Sequence, residues 1–136
     1  MGKYKIEYEY NGKDDFAIVE AEDYDDARET FLIDYADIDP EINGISPYTV
    51  YDEIQAERIR QVTEEGYSAE HDDKLTHGEL ASAAAAYAFP GMLEKMLWPF
   101  ENPIKKKDTR SNLIRSAALT VAEIERLDRI GRRSKA

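Results

Sequence analysis

Cysteine is absent from this chain. That excludes a disulfide framework and a thiolate metal site, and nothing in the sequence calls for oxidising conditions. Histidine is scarce, with 2 residues, and no His-Glu-x-x-His pair occurs. No glycine-rich phosphate loop, serine elbow, Ser/His/Asp pattern or zinc spacing is present either. Nucleophilic catalysis is therefore not expected, and the reading leans away from an enzyme. No apolar run approaches the roughly 18 residues that span a bilayer. Met1–Tyr10 is charged and lacks the apolar centre of a secretory signal. The expectation is a cytoplasmic protein with no membrane contact.

Basic residues are also scarce, but only in part of the chain. Over 136 residues the net charge is −11. Residues 1–100 carry 24 acids against 8 bases, a net of −16, while residues 101–136 carry 10 bases against 5 acids, a net of +5. Residues 1–57 alone hold 17 acids and 4 bases. Direct nucleic-acid binding is not expected of so acidic a chain, but a basic C-terminal surface could meet phosphate or the protein's own carboxylates. Charged residues make up 35%, above the usual quarter, and hydrophobic residues 42%. A thin core under much solvated surface follows, well short of a disordered composition.

Lys3–Tyr10 alternates with period two: Tyr4, Ile6, Tyr8 and Tyr10 face one way, Lys3, Lys5, Glu7 and Glu9 the other. Asn11-Gly12 is a hairpin turn signal, and Asp14–Ala21 reads as the return strand. A two-residue turn would pair Tyr8 with Asp15 and leave Phe16 and Ile18 among the charges. A turn one residue longer would pair Tyr8 with Phe16 and Ile6 with Ile18, and hydrophobic matching favours it. Asp23 reads as an N-cap with Asp25 and Asp26 in the first turn. Tyr24, Ala27, Phe31 and Tyr35 then follow at helical spacing. Asp39-Pro40 and Asn43-Gly44 mark a loop, and Tyr48–Tyr51 a third short strand.

From about Glu53 the period becomes helical. Ile54, Arg58, Ile59 and Val62 form a helix closed by Gly66. Tyr67–Leu75 is a polar loop or short helical turn. Thr76 has capping-box spacing to Glu79. The helix that follows is alanine-rich at Ala81, Ala83, Ala84, Ala85 and Ala86, suited to close helix contact, and stops before Pro90. Met92–Leu97 makes a further turn. Asp108 or Thr109 caps a last helix, with Leu113, Ala117, Val121, Ile124 and Leu127 as its apolar stripe. Arg132, Arg133 and Lys135 form a basic tail beyond Gly131. The expected fold is α+β: an acidic ββα or ββαβ unit over residues 1–52, then a mainly helical domain over 53–136.

Glu70-His71-Asp72-Asp73, with His77 and Glu79, is the densest polar group. Such oxygen and imidazole donors suit an acid–base pair or a divalent cation, Mg or Mn, but the spacing names no metal site. The plainer reading is a capped, hydrogen-bonded loop. Glu125 and Asp128 lie three apart on a helix, a spacing that nucleotide pyrophosphohydrolases use for magnesium. Glu53 and Glu57 are the only candidates for a second pair, and a solvated salt-bridged face is favoured. Arg110 and Arg115 follow Lys105-Lys106-Lys107, with Trp98 and Phe100 just before, a combination that could hold phosphate and stack on a base. The ligand-binding candidates are thus His71, Asp72, Asp73, His77, Trp98, Arg110 and Arg115, with no cofactor required.

The strings Glu57-Arg58-Ile59-Arg60-Gln61, Glu65-Gly66-Tyr67-Ser68-Ala69-Glu70-His71-Asp72-Asp73 and His77-Gly78-Glu79-Leu80-Ala81, with Ala122–Arg129, carry a resemblance. Residues 57–130 resemble small uncharacterised proteins of phages, prophages and mobile elements, although Tyr67 stands where tryptophan is more usual. The first 56 residues lie outside it. The resemblance implies an accessory gene of a mobile element and no established reaction; the charge of residues 1–57 adds the expectation of a non-catalytic, anti-defence protein with a host protein as partner. An acidic surface at Asp23, Asp25, Asp26 and Glu29 would contact that partner, presenting carboxylates where nucleic-acid phosphates would lie. The alternatives are a nucleotide-binding sponge or weak metal-dependent nucleotide hydrolase in the helical half, whose site could form across a homodimer, and a plain protein-interaction module.

Overall fold

The computed structural model describes residues 1–134, so Lys135 of the expected basic tail lies outside the described residues. The architecture is α+β. Two compact units divide the chain, Met1–Asp52 and Glu53 onward.

The first unit holds β1 (Gly2–Tyr10), β2 (Lys13–Ala21), α1 (Tyr24–Asp34) and β3 (Glu41–Pro47). All three strands are antiparallel neighbours in the order β2-β1-β3. The hairpin register differs from the one favoured on hydrophobic matching. Asn11 (φ 51°) and Gly12 (φ 74°) form a two-residue turn, and Tyr10 pairs with Lys13, Tyr8 with Asp15, Ile6 with Ala17 and Tyr4 with Val19. Both residues tolerate positive φ, so the primed turn that matches strand twist outcompetes the longer loop. The inner face of β2 is therefore Ala17, Val19 and Ala21. These small side chains make room for Phe31 of α1, fully buried against Ile6, Tyr8 and Val19. The rings of Tyr8 and Phe31 lie 5.1 Å apart and those of Phe31 and Tyr35 4.6 Å apart.

Asp23 caps α1 as expected, its Oδ1 accepting from the Asp26 N–H at 2.9 Å. The third strand forms earlier than expected. Glu41–Pro47 pairs with β1, whereas Tyr48 and Thr49 lead into the next helix. Asn43-Gly44 lies inside β3 and not in a loop. The register slips by one residue between Glu7 and Tyr8, so the pair marks a β-bulge.

α2 (Val50–Thr63) begins three residues before Glu53, because Thr49 and Asp52 form a reciprocal cap: Thr49 N–H donates to Asp52 Oδ2 at 2.6 Å. The second unit continues with α3 (Ala69–Asp73), α4 (Glu79–Ala88), α5 (Met92–Leu97) and α6 (Thr109–Ser134). Gly66 has φ 77° just past α2, where Tyr67 N–H returns to the Gln61 carbonyl. Thr76 does not cap α4. Gly78 holds that position at φ 79°, and Glu79 accepts from the His77 N–H instead.

The core of this unit is α4 against α6: Leu80, Ala83, Ala84 and Tyr87 meet Leu119 and Ala122. Alanine on both helices permits the close approach that the sequence suggested. The buried face of α6, however, is not the expected one. Asn112, Arg115, Ala118, Leu119, Ala122 and Arg126 are buried, while Leu113, Val121, Ile124 and Leu127 are exposed. Leu119 is the large aliphatic that α6 packs against α4, while those four turn outward. The small residues of α6 turn inward, and the guanidinium of Arg126 follows them because Glu123 takes it at 2.7 and 2.9 Å. Among the described residues no helix is long and apolar enough to cross a membrane.

Candidate functional site

The polar cluster of residues 70–79 does not converge. Asp72 is fully buried, its Oδ2 accepting from Arg58 Nη2 at 2.9 Å and its Oδ1 lying 3.0 Å from His71 Nδ1. Arg58 also reaches Glu125 at 3.2 Å and the Tyr67 carbonyl at 3.3 Å, so one guanidinium ties α2 to α3 and α6. Asp73 faces Arg129 and Arg133 of α6, with Nε of Arg129 at 3.0 Å and Nη2 of Arg133 at 2.6 Å. Nη2 of Arg129 lies 2.8 Å from the same carboxylate and makes an ionic contact with it. These two arginines hold the Asp73 carboxyl below its ordinary range. His77 is almost wholly exposed, and its backbone N–H donates to Glu79. Residues expected at one site thus bind separate partners. Among the described residues no group of three or more His, Asp or Glu is placed to hold a metal ion.

The basic segment before α6 is braced by carboxylates of its own unit. Lys105 pairs with Glu65 at 2.8 Å, Lys106 with Glu94 at 2.7 Å and Arg110 with Glu53 at 2.6 Å. The start of α6 is already capped, since Asp108 accepts from the Ser111 N–H at 3.1 Å and hydroxyl at 2.6 Å. An added phosphate would compete with that carboxylate. Glu57 binds Arg60 and Glu125 binds Arg58, so neither expected acidic pair stands open.

What the fold does bring together is Arg115, Trp98 and residues that were not singled out. A cavity of about 300 Å³ in the second unit is lined by Gln61, Tyr67, Tyr87, Trp98, Arg115 and Leu119, with Glu57, Arg60, Glu65 and Lys105 at its charged wall. Arg115 is buried and donates to the Lys105 carbonyl, with Glu57 3.8 Å from its Nε. Trp98 donates to the Asn102 carbonyl at 2.7 Å and stands edge-on to Tyr87 and Phe100. Lys105, then Arg60, lower the Glu65 carboxyl, while burial raises the Tyr67 hydroxyl. The available signal was the i, i+4 row Glu57-Gln61-Glu65, which resembles a solvated helix face.

In the first unit, the sheet face opposite α1 is open. Phe16 (51% exposed) and Ile18 (38%) stand on it, with Lys5 4.7 Å over the Phe16 ring. Pairing puts Glu7, Glu9, Asp14, Glu20 and Glu41 on the same face. Of the four acids expected to contact a partner, Asp25 and Glu29 are exposed along α1, whereas Asp23 and Asp26 are occupied at its N-terminus. Comparison with protein-family models, with curated proteins and with solved structures finds no match.

Proposed function

We propose that the protein is a non-catalytic binding module whose first unit docks a cationic partner on its open sheet face. One observation carries this. Residues 1–52 hold 15 acids and 4 bases, a net of −11, whereas residues 53–136 hold 14 of each. The whole net charge belongs to the first unit. Carboxylates of the second unit are largely spent on arginine and lysine partners, as described above, and those of the first have few cations to meet. An exposed aromatic–aliphatic pair within a carboxylate rim is the composition of a recognition patch, with Phe16 and Ile18 at its centre and long-range attraction from the acids.

The favoured partner is a basic protein that itself binds nucleic acid, for which the carboxylates take the place of phosphates. In an accessory protein of a mobile element, which the resemblance over residues 57–130 implies, such docking would serve an anti-defence role. The test captures partners from host lysate and then measures the purified pair. Affinity should fall tenfold or more as salt rises from about 0.05 M to 0.3 M. It should also fall in the Asp14→Lys/Glu20→Lys variant and in Phe16→Ser, with little change in melting. Binding that ignores both salt and these substitutions would reject the proposal.

A further inference from the structure

The exposed face of α6 is its apolar one. Leu113 (49% exposed), Ile124 (53%) and Leu127 (52%) stand on it. Ala117, Thr120 and Gly131 complete the row, which runs 113, 117, 120, 124, 127, 131. Alternating steps of four and three make the heptad seam of a coiled coil, and none of these residues belongs to the core of the second unit. Gly131 is informative. It lies inside the helix without a positive φ, and an added Cβ would meet nothing within 4 Å. Glycine there costs about 1 kcal/mol against alanine. Among the described residues nothing requires it, so the space it leaves suits a side chain from outside the chain.

The order of sizes along the seam names the occupant. Against a reversed copy, related by a two-fold axis at the level of Ala122, Leu113 meets Gly131, Ala117 meets Leu127 and Thr120 meets Ile124. Every layer sets a large side chain on a smaller one. Against a parallel copy, leucine meets leucine and glycine meets glycine, which alternates crowding with gaps. Charge agrees with the reversed arrangement. Arg110 and Asp128 share one flank of the seam, and Arg110 pairs with Glu53 at 2.6 Å. Reversal sets Asp128 and Arg132 of one copy beside Arg110 and Glu53 of the other, two charges of each sign. The seam is about 27 Å long, so two copies bury on the order of 1,000 Å², too little for a permanent dimer and enough for a weak one. We propose that the protein self-associates as an antiparallel dimer through the outer face of α6. The surface lies in the second unit, so the proposal stands apart from partner docking by the first.

Sedimentation equilibrium of the full chain from about 1 µM to 1 mM should show a monomer passing to a dimer, with Kd between about 10 and 500 µM. Leu127→Lys should weaken the dimer tenfold or more. Its melting at about 1 µM, where the parent is also monomeric, should match the parent's. Gly131→Leu should weaken the dimer likewise, because it fills the space of Leu113 from the other copy, although it favours the helix. The lack of cysteine allows the orientation to be read by single thiols. At about 0.5 mM, Val121→Cys, beside the two-fold axis, should be joined to its own copy by a short bismaleimide. Thr109→Cys should not, since the reversed arrangement holds its two copies about 40 Å apart. A chain that stays monomeric up to about 1 mM would overturn the proposal. A dimer that Leu127→Lys leaves intact would overturn it equally, as would one in which Thr109→Cys links as readily as Val121→Cys.

Discussion

Asp72 has no exposed surface, and the guanidinium of Arg58 lies 2.9 Å from it. Removing the arginine strands a carboxylate that water does not reach, whereas Arg58 without Asp72 keeps Glu125 at 3.2 Å. Arg58→Ala should cost about 3–5 kcal/mol in urea denaturation. Replacing both residues, Asp72→Leu with Arg58→Met, should cost less than the arginine change alone, because no buried charge is then left unpaired. Strict additivity would show that the two do not act as a pair. Gly12 poses a different constraint at the same scale. Its φ of 74° lies in the left-handed region, where an L side chain crowds its own backbone. Gly12→Val should cost about 1–2 kcal/mol, although open space surrounds the position. That cost would come from the turn, and the turn sets the hairpin register.

α6 has two faces of unlike kind. Its inward face is small and ion-paired, while its outward face carries Leu113, Val121, Ile124 (53% exposed) and Leu127 (52%). Hydrophobic periodicity selects the outward face, since that is where the large aliphatics recur. The structure inverts the assignment because α4 packs against the face of α6 that carries Leu119 and Ala122, with alanines bringing the helices close. Leu119→Ala should therefore cost about 2–4 kcal/mol, while Leu127→Lys should stay within about 0.5 kcal/mol, both read from denaturant midpoints. The hairpin supports a parallel comparison. Val19 is buried and Phe16 is not, so Val19→Ser should destabilise the first unit while Phe16→Ser leaves its melting nearly unchanged. The reverse order would restore the longer turn.

At the scale of the molecule the two units answer differently to pH and salt. In the second, Asp73 is lowered by Arg129 and Arg133, Glu65 by Lys105 and Arg60, and Glu94 by Lys106. Each native pKa lies below its unfolded value. The stability these groups contribute is complete above the unfolded carboxylate range, near pH 4, and is lost as pH falls through their depressed native values. Amide exchange by residue should show the second unit opening under acid. The first unit carries a net of −11 and repels itself. Raising salt from about 0.05 M to 0.5 M should slow exchange there, as screening relieves that repulsion. Equal responses in both units would contradict the confinement of the charge.

Local pattern alone determined the α+β order, the Asp23 cap, the alanine helix and the uneven charge, because each depends on neighbours within a few residues. The hairpin register, the bulge at Asn43-Gly44 and the buried face of α6 depended on what stood opposite. Two candidates of the site, Trp98 and Arg115, were legible as residue types near one another in the chain. Gln61 was not, since an unpaired oxygen is defined by what surrounds it, and a glutamine in a charged helical row looks solvated. His71 and Asp73, close in sequence, parted because α3 aims them in different directions, and His77 lies beyond that helix in the turn before α4. Spacing along the chain determined which groups were at hand, and only tertiary packing decided which of them would share a cavity, be neutralised by a partner, or be left in water.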